Sequence, residues 1–303
     1  MKKAFFKGKL VPFDQAKVGV MTHALNYGTA CFEGIRGYYN KEKDQMYILK
    51  LKEHYERLIA SAAILFIPIK YSIPELCNFT VKMVKANNYK TDVYIRPLAY
   101  KSEEKIGLGL NNVASDLTIF CAPFGNYLDI SKGIKVATST WKRIDDLSIP
   151  ARAKVTGGYI NSSLAKAEAQ LNGFDEAIML SHDGHVSEGS GENIFVIRKG
   201  KIFTPQFSDN ILEGITRDII ILLAEKELGL EIIERPIDRS ELYVADEIFL
   251  CGTGAQISPV VNVDHRKIGN GKIGPISQKL QEIYFKAVKG QNPKYSNWLT
   301  PAY

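Results

Sequence analysis

Apolar residues recur along this chain at two spacings, and the switches between them mark out its elements. Residues 9–13 and 46–51 read as strands, with residues 37–44 as a polar hairpin connection ahead of the second. The spacing then changes over residues 51–66, where Leu51, Tyr55, Leu58, Ile59 and Ala62 fall on one side of a helix. A second helix opens at Ser72, with Pro74 in its first turn and Glu75 three residues after the serine, the arrangement of a capping box. Residues 93–99 and 117–122 return to strand. Residues 124–133 show no period and hold two glycines, an asparagine and an aspartate; they read as a linker between a domain of residues 1–123 and a larger one of residues 134–303. Beyond it the pattern predicts strands at 135–139, 176–180, 193–198, 201–204, 230–235, 247–250 and 259–263, and helices at 161–171, 216–228 and 276–289. Strands and helices mingle without strict alternation. That predicts two α+β domains, not a doubly wound parallel sheet.

Composition narrows the class. At 303 residues, with 45% hydrophobic and 24% charged, the chain is ordinary for a folded protein of one large domain or two smaller ones. The net charge of +6 is spread along the sequence, so no basic arm or face points to nucleic acid; anionic small molecules suit it better. Four cysteines stand far apart, without the spacing of a disulfide framework or a zinc site. The longest apolar runs, such as residues 219–224, are far too short to cross a bilayer, and Lys7 and Lys9 break up any signal-peptide core. The expected compartment is the cytoplasm, with no membrane partner.

The chemistry concentrates in two segments. The first, Ala153-Lys154-Val155-Thr156-Gly157-Gly158-Tyr159-Ile160-Asn161, sets one lysine among small residues. Most lysines are solvated surface charges. Here Ala151, Ala153, Gly157 and Gly158 leave room for a planar ligand against the backbone, and Pro150 with the following helix start puts Lys154 at a strand-to-helix junction. The second, Ser187-Glu188-Gly189-Ser190-Gly191-Glu192-Asn193, brings carboxylates into a glycine-rich stretch. An amine for a Schiff base and a carboxylate for a ring nitrogen are the two attachments that pyridoxal 5'-phosphate needs to act as an electron sink. Glu188 and Glu192 are equally eligible at this level.

A phosphate needs donors. Gly214-Ile215-Thr216 opens an apolar helix whose free N–H groups favour an anion, although Thr216 serves equally as a plain N-cap. Gly252-Thr253-Gly254 follows a strand and offers a second backbone nest or a simple turn. Arg57, opposite the apolar stripe of its helix, adds a charge or is merely solvated. No phosphate-binding Gly-x-x-x-x-Gly-Lys, dinucleotide fingerprint or Gly-x-Ser-x-Gly elbow occurs. His182 and His185 flank Asp183-Gly184 in what reads as a surface turn, and no metal site is expected.

Together these residues resemble the branched-chain amino acid aminotransferases, within the fold type IV pyridoxal-phosphate enzymes that also include D-amino acid aminotransferases and aminodeoxychorismate lyases. The likeness is carried by Tyr27-Gly28, Phe32-Glu33-Gly34-Ile35-Arg36, Tyr94-Ile95-Arg96-Pro97, the Lys154 segment, residues 187–195, Gly214-Ile215-Thr216-Arg217-Asp218 and Gly252-Thr253-Gly254. The Phe-Glu-Gly-Ile-Arg and Tyr-x-Arg-Pro elements point to the branched-chain subgroup. The resemblance implies a two-domain α+β fold like that of D-amino acid aminotransferase, with a smaller N-terminal α/β domain and a larger mixed-sheet domain. It implies Lys154 as the Schiff-base lysine and Glu188 on the pyridine nitrogen. Tyr159 would bond the phenolic oxygen, and Arg57, Ile215, Thr216 and Thr253 would hold the phosphate. Substrate would meet Thr253, Gly254 and Tyr94 at its carboxylate and Tyr27, Phe32, Tyr127 and Tyr159 along its side chain. Arg96 would answer the distal carboxylate of glutamate. The reaction implied is amino transfer between leucine, isoleucine or valine and 2-oxoglutarate, by a homodimer or higher homo-oligomer. A D-amino acid aminotransferase and an aminodeoxychorismate lyase stand as alternatives. The chain departs from the family pattern at Thr156 and Gly158, where many relatives carry glycine then asparagine, and across residues 101–110.

Overall fold

The computed structural model describes residues 2–125, 128 and 130–303. The chain forms two compact units: Met1–Gly125 with Ala153–Gly158 and Lys286–Tyr303 in one, and Asn126–Arg152 with Tyr159–Phe285 in the other. The division expected over residues 124–133 follows the chain once. The chain itself returns to the first unit twice more, through the Lys154 segment and the C-terminal residues.

In the first unit the elements are β1 (Lys3–Phe6), β2 (Lys9–Pro12), α1 (His23–Tyr27), β3 (Ala30–Phe32), β4 (Ile35–Asn40), β5 (Gln45–Leu49), α2 (Leu51–Ile64), α3 (Ile73–Asn87), β6 (Val93–Lys101) and β7 (Ser115–Pro123). Their strands make an antiparallel sheet in the order β5-β4-β6-β7-β1-β2, with β3 on β6 and the C-terminal strand Leu299–Pro301 beside β5. Helix α2 buries Leu51, Tyr55, Leu58 and Ala62 in the core with Leu76, Met83 and Val84 of α3 and with Ile35, Ile48, Ile95 and Ile119 of the sheet. The apolar stripe is the one that spacing predicts, and Glu75 accepts the N–H of Ser72 at 2.8 Å at the start of α3. Residues 37–44 differ from expectation. Strand β4 runs on through Asn40 with Tyr38 fully buried, so the reversal is confined to residues 41–44. Gly37 suggested a turn but serves close packing: a Cβ there would come within 2.7 Å of Val93.

The second unit contains β8 (Ile134–Thr138), α4 (Tyr159–Leu171), β9 (Glu176–Leu180), β10 (Val186–Gly189), β11 (Asn193–Arg198), β12 (Lys201–Thr204), α5 (Ile215–Leu228), β13 (Ile232–Glu234), β14 (Glu247–Gly252), β15 (Gln256–Val263) and β16 (Arg266–Lys267), and α6 (Pro275–Val288) follows. Its sheet is mixed, ordered β10-β9-β8-β15-β14-β11-β12-β13 with β16 on β15. The β8–β9, β8–β15 and β12–β13 pairs are parallel and the rest antiparallel. This is the α+β class that the mingled periods predict.

Candidate active site

In the first unit everything is arranged about β3. One edge of this strand pairs with β6, and residues 153–158 lie along the other: the Phe32 N–H donates to the Lys154 carbonyl at 3.0 Å, and the Thr156 N–H donates to the Ala30 carbonyl at 2.8 Å. The Lys154 N–H in turn donates to Ser61 Oγ of α2 at 3.1 Å. Lys154 thus sits half-buried on an irregular stretch whose backbone is held from both sides, and its Nζ lies 5.1 Å from the centre of the Phe32 ring. The expected strand-to-helix junction is a turn followed by the Val155–Cys31 bridge, with α4 starting at Tyr159.

Strand β6 alternates. Val93 and Ile95 enter the core while Tyr94 and Arg96, two apart and so on one face, are half-buried. The Arg96 guanidinium stacks 4.2 Å over the same Phe32 ring and donates to the Tyr94 hydroxyl at 3.1 Å. Gly34 makes that possible, since a Cβ there would fall 2.0 Å from the Tyr94 oxygen. Amine, guanidinium and hydroxyl therefore gather about one aromatic wall.

Arg57 is not a merely solvated charge. Its Nε and Nη2 donate to the two oxygens of fully buried Glu33 at 2.7 and 2.8 Å, and His54 Nδ1 lies 2.7 Å from Glu33 Oε2. Burial alone would push the Glu33 carboxyl up. The charge and N–H groups of Arg57, with His54, outweigh it and hold Glu33 well below the usual carboxylate range. Burial pushes His54 below its ordinary value in spite of Glu33. Tyr27 accepts the Gly107 N–H at 3.1 Å, and His23 bridges Thr29 Oγ1 at 2.7 Å and the Gly107 carbonyl at 2.8 Å, so residues 101–110 are latched to α1.

In the second unit Glu188 lies buried on β10. Its carboxylate accepts Arg143 Nη2 at 2.9 Å, Asn193 Nδ2 at 3.1 Å and the Leu212 N–H at 3.1 Å. Asn193 joins this carboxylate to the start of α5, because its Oδ1 is where a Cβ on Gly214 would fall, 1.9 Å away. Gly214 is the N-cap of α5 and supplies no side chain to its first N–H groups; Thr216 lies inside the helix, not at the cap. A cap without a side chain, forced by a neighbour, leaves those donors to an anion. Thr253 and Gly254 stand half-buried in the turn after β14, and half-buried Tyr159 is the first residue of α4.

Glu192 differs from Glu188. Burial, then the nearby charge of Glu176, pushes its carboxyl up to about 8, against the Gly191 N–H that it accepts at 3.0 Å. Glu176 itself meets Lys166 at 2.5 Å and the Ser190 hydroxyl at 2.6 Å. Sequence reasoning assigned no role to Glu33, His54, Ser61, Arg143 or Asn193. Glu33 and Asn193 stand inside the quoted motifs, and His54, Arg57 and Ser61 share helical spacing, which is the signal available beforehand. Tyr127 lies outside the described residues. Among the described residues no group of three or more His, Cys, Asp or Glu could hold a metal ion, and burial pushes the Cys31 and Cys121 thiols up to about 12. Among the described residues no helix is long and apolar enough to cross a membrane.

The sequence profile of the amino-transferase class IV family matches residues 30–263. A protein of Aquifex aeolicus (strain VF5) named "Probable branched-chain-amino-acid aminotransferase" is 54% identical over 303 residues, covering 100% of this chain and 97% of its own length. The crystal structure of the branched-chain aminotransferase from the thermophilic archaea Thermoproteus uzoniensis with norvaline superposes with a TM-score of 0.95 at 44% identity, covering 100% of this chain and 99% of that one. That of the branched-chain amino acid aminotransferase from Thermobaculum terrenum in its PLP form gives a TM-score of 0.95 at 40% identity, covering 100% and 98%.

Proposed function

The chain belongs to the amino-transferase class IV family, and from that premise we propose that it exchanges the amino group between L-leucine, L-isoleucine or L-valine and 2-oxoglutarate, with pyridoxal 5'-phosphate as cofactor. The observation that carries this reading is the Phe32 wall, with Lys154 Nζ 5.1 Å and the Arg96 guanidinium 4.2 Å from the same ring. A reactive amine beside an aromatic surface suits an aliphatic side chain. The cation on that surface suits the distal carboxylate of glutamate. Neither alternative, a D-amino acid aminotransferase or an aminodeoxychorismate lyase, asks for the Tyr94-x-Arg96 pair.

The donor set fits the cofactor. Lys154 would hold its aldehyde carbon, Glu188 its ring nitrogen and Tyr159 its phenolic oxygen. Arg57, Ile215, Thr216 and Thr253 would hold its phosphate, and Gly214 keeps the α5 terminus clear of a capping side chain. When bound, the cofactor supplies an electron sink for the pair left as the substrate Cα–H bond breaks. Once the substrate amine has displaced it from the aldehyde carbon, the Lys154 amine would take that proton, and general-base help of this kind is typically worth about 10²–10⁴-fold. Arg143, Asn193 and the Leu212 N–H keep Glu188 oriented for a ring nitrogen. Thr253, Gly254 and Tyr94 would receive the α-carboxylate, and Tyr27, Phe32 and Tyr159 would line the side chain. The reading also includes a cytoplasmic enzyme that assembles as a homodimer or higher homo-oligomer.

Borohydride reduction of the purified protein followed by peptide mapping tests the central assignment. The label is expected on Lys154, with transamination of L-leucine but not D-leucine. A label elsewhere, or an unlabelled protein, refutes it.

A further inference from the structure

Helix α2 turns two stripes inward. The apolar one, Leu51, Tyr55, Leu58 and Ala62, belongs to the core; the other is His54, Arg57 and Ser61, also at helical spacing. Each member of the polar stripe contacts the segments that carry the chemistry. His54 and Arg57 reach Glu33 at 2.7–2.8 Å, and Ser61 Oγ receives the Lys154 N–H at 3.1 Å. Glu33 directly follows Phe32, whose N–H holds the Lys154 carbonyl at 3.0 Å. Arg57 and the backbone of Lys154 are therefore fixed to one short stretch, residues 32–33, by one helix face.

A fully buried carboxylate here requires a reason. Removing both charges from water is costly, and apolar residues of similar volume often fill such a place with no loss of stability. What an apolar residue cannot do is orient a guanidinium. The two parallel N–H···O bonds from Arg57 define the plane of its fork, and His54, held below its usual pKa by burial, adds a second fixed contact to Glu33 Oε2. Arg57 is only 13% exposed at its side chain and Glu33 not at all. The freedom of a long arginine is lost on folding and need not be lost again when an anion arrives.

We infer that Glu33 is a positioning residue for the phosphate end of the cofactor site, holding Arg57, with His54, in the orientation that receives the phosphate. This rests on the function proposed above and goes beyond it, since Glu33 and His54 touch neither cofactor nor substrate in that reading. Removing Glu33 has two opposed consequences. It removes the fork that orients Arg57, which weakens a phosphate contact, and it deletes an anion near that contact, which strengthens it. The fork geometry makes the first the larger, because glutamine offers one acceptor oxygen where Arg57 and His54 use two.

The test compares pyridoxal 5'-phosphate with pyridoxal, which lacks the phosphate, by visible-absorption titration of the full-length chain freed of cofactor. Glu33→Gln is expected to weaken pyridoxal 5'-phosphate on the order of tenfold or more and to leave pyridoxal unchanged. His54→Gln is expected to act in the same direction and less, and it carries the test by the same criterion if Glu33→Gln fails to fold. Equal weakening of both ligands would mean a structural role only and overturn the inference while leaving the proposed function standing. Unchanged or tighter binding of pyridoxal 5'-phosphate would overturn it too. A wild-type chain that takes up neither ligand would remove the proposed function and this inference with it.

Discussion

Single residues divide sharply into those that sequence distinguishes and those that only their surroundings do. Lys154 stands out by its small neighbours, and Tyr94 and Arg96 only through the Tyr-x-Arg-Pro element that carries the resemblance. Glu188 and Glu192 do not, since both lie in one glycine-rich run. What separates them is what reaches each carboxylate in the fold: a guanidinium and two N–H donors for Glu188, a second buried carboxylate for Glu192. The difference has a measurable consequence. In an unfolded chain Glu192 titrates at about 4.3, whereas folding, through burial first and Glu176 second, pushes it up to about 8. The folded state thus holds the proton more tightly. The stability this contributes is fully present below about pH 4 and is lost as pH climbs through about 8. Glu192→Gln has nothing to ionise and its amide oxygen can still accept the Gly191 N–H, so it escapes that loss. Thermal unfolding followed from about pH 5 to about pH 9 is expected to show the variant gaining on the wild type as pH rises. Parallel curves would mean that Glu192 is not the group responsible.

Elements were legible where they were long and strongly periodic. The stripes of α2, α3, α4 and α5 and most strands lie within a few residues of where spacing puts them. Short elements set by contacts were not: β1, β3 and the five-residue α1 are too brief to display a period, yet β3 carries Phe32 and α1 carries Tyr27. The end of α1 also shows how an element depends on a remote one. Gly28 closes it in the left-handed region at φ 66°, and its carbonyl accepts the Thr156 hydroxyl at 2.9 Å. A Cβ on Gly28 would come 2.8 Å from the Cα of Gly157, in the segment that bears Lys154. Gly28→Ala therefore meets two penalties, a left-handed backbone costing about 1–2 kcal/mol and a contact with backbone that has no flexible end to move aside. The expected result is a loss of at least about 1–2 kcal/mol by urea denaturation. A neutral outcome would show that residues 153–158 yield easily, and that the lysine is less firmly seated than its hydrogen bonds imply.

At the scale of the molecule, the α+β class followed from the mingling of periods, but the route of the chain did not. The sequence has one break in composition, over residues 124–133. Composition does not register a chain that leaves a unit and comes back, because the returning strand Leu299–Pro301 is only three residues long. Contacts make it part of the first sheet. Leu299, Thr300 and Pro301 pair with Leu49, Ile48 and Tyr47, the Lys50 N–H donates to the Trp298 carbonyl at 2.7 Å, and the Ala302 N–H donates to the Met46 carbonyl at 2.9 Å. Trp298 anchors the return: it is buried, its ring lies 4.2 Å from that of Tyr295, and Lys50 Nζ sits 5.5 Å from its centre. Truncating a buried tryptophan to alanine costs about 3–5 kcal/mol where the site cannot collapse. If residues 286–303 belong energetically to the first unit, Trp298→Ala should lower the urea midpoint and speed amide exchange in β5 and at Lys50, at the far end of the sequence. If they belong instead with residues 134–285, exchange in β5 should not change. Lys50 immediately precedes α2, whose polar face holds Glu33 and the Lys154 backbone, so this measurement also tests whether the last residues of the chain help hold the helix on which that arrangement depends.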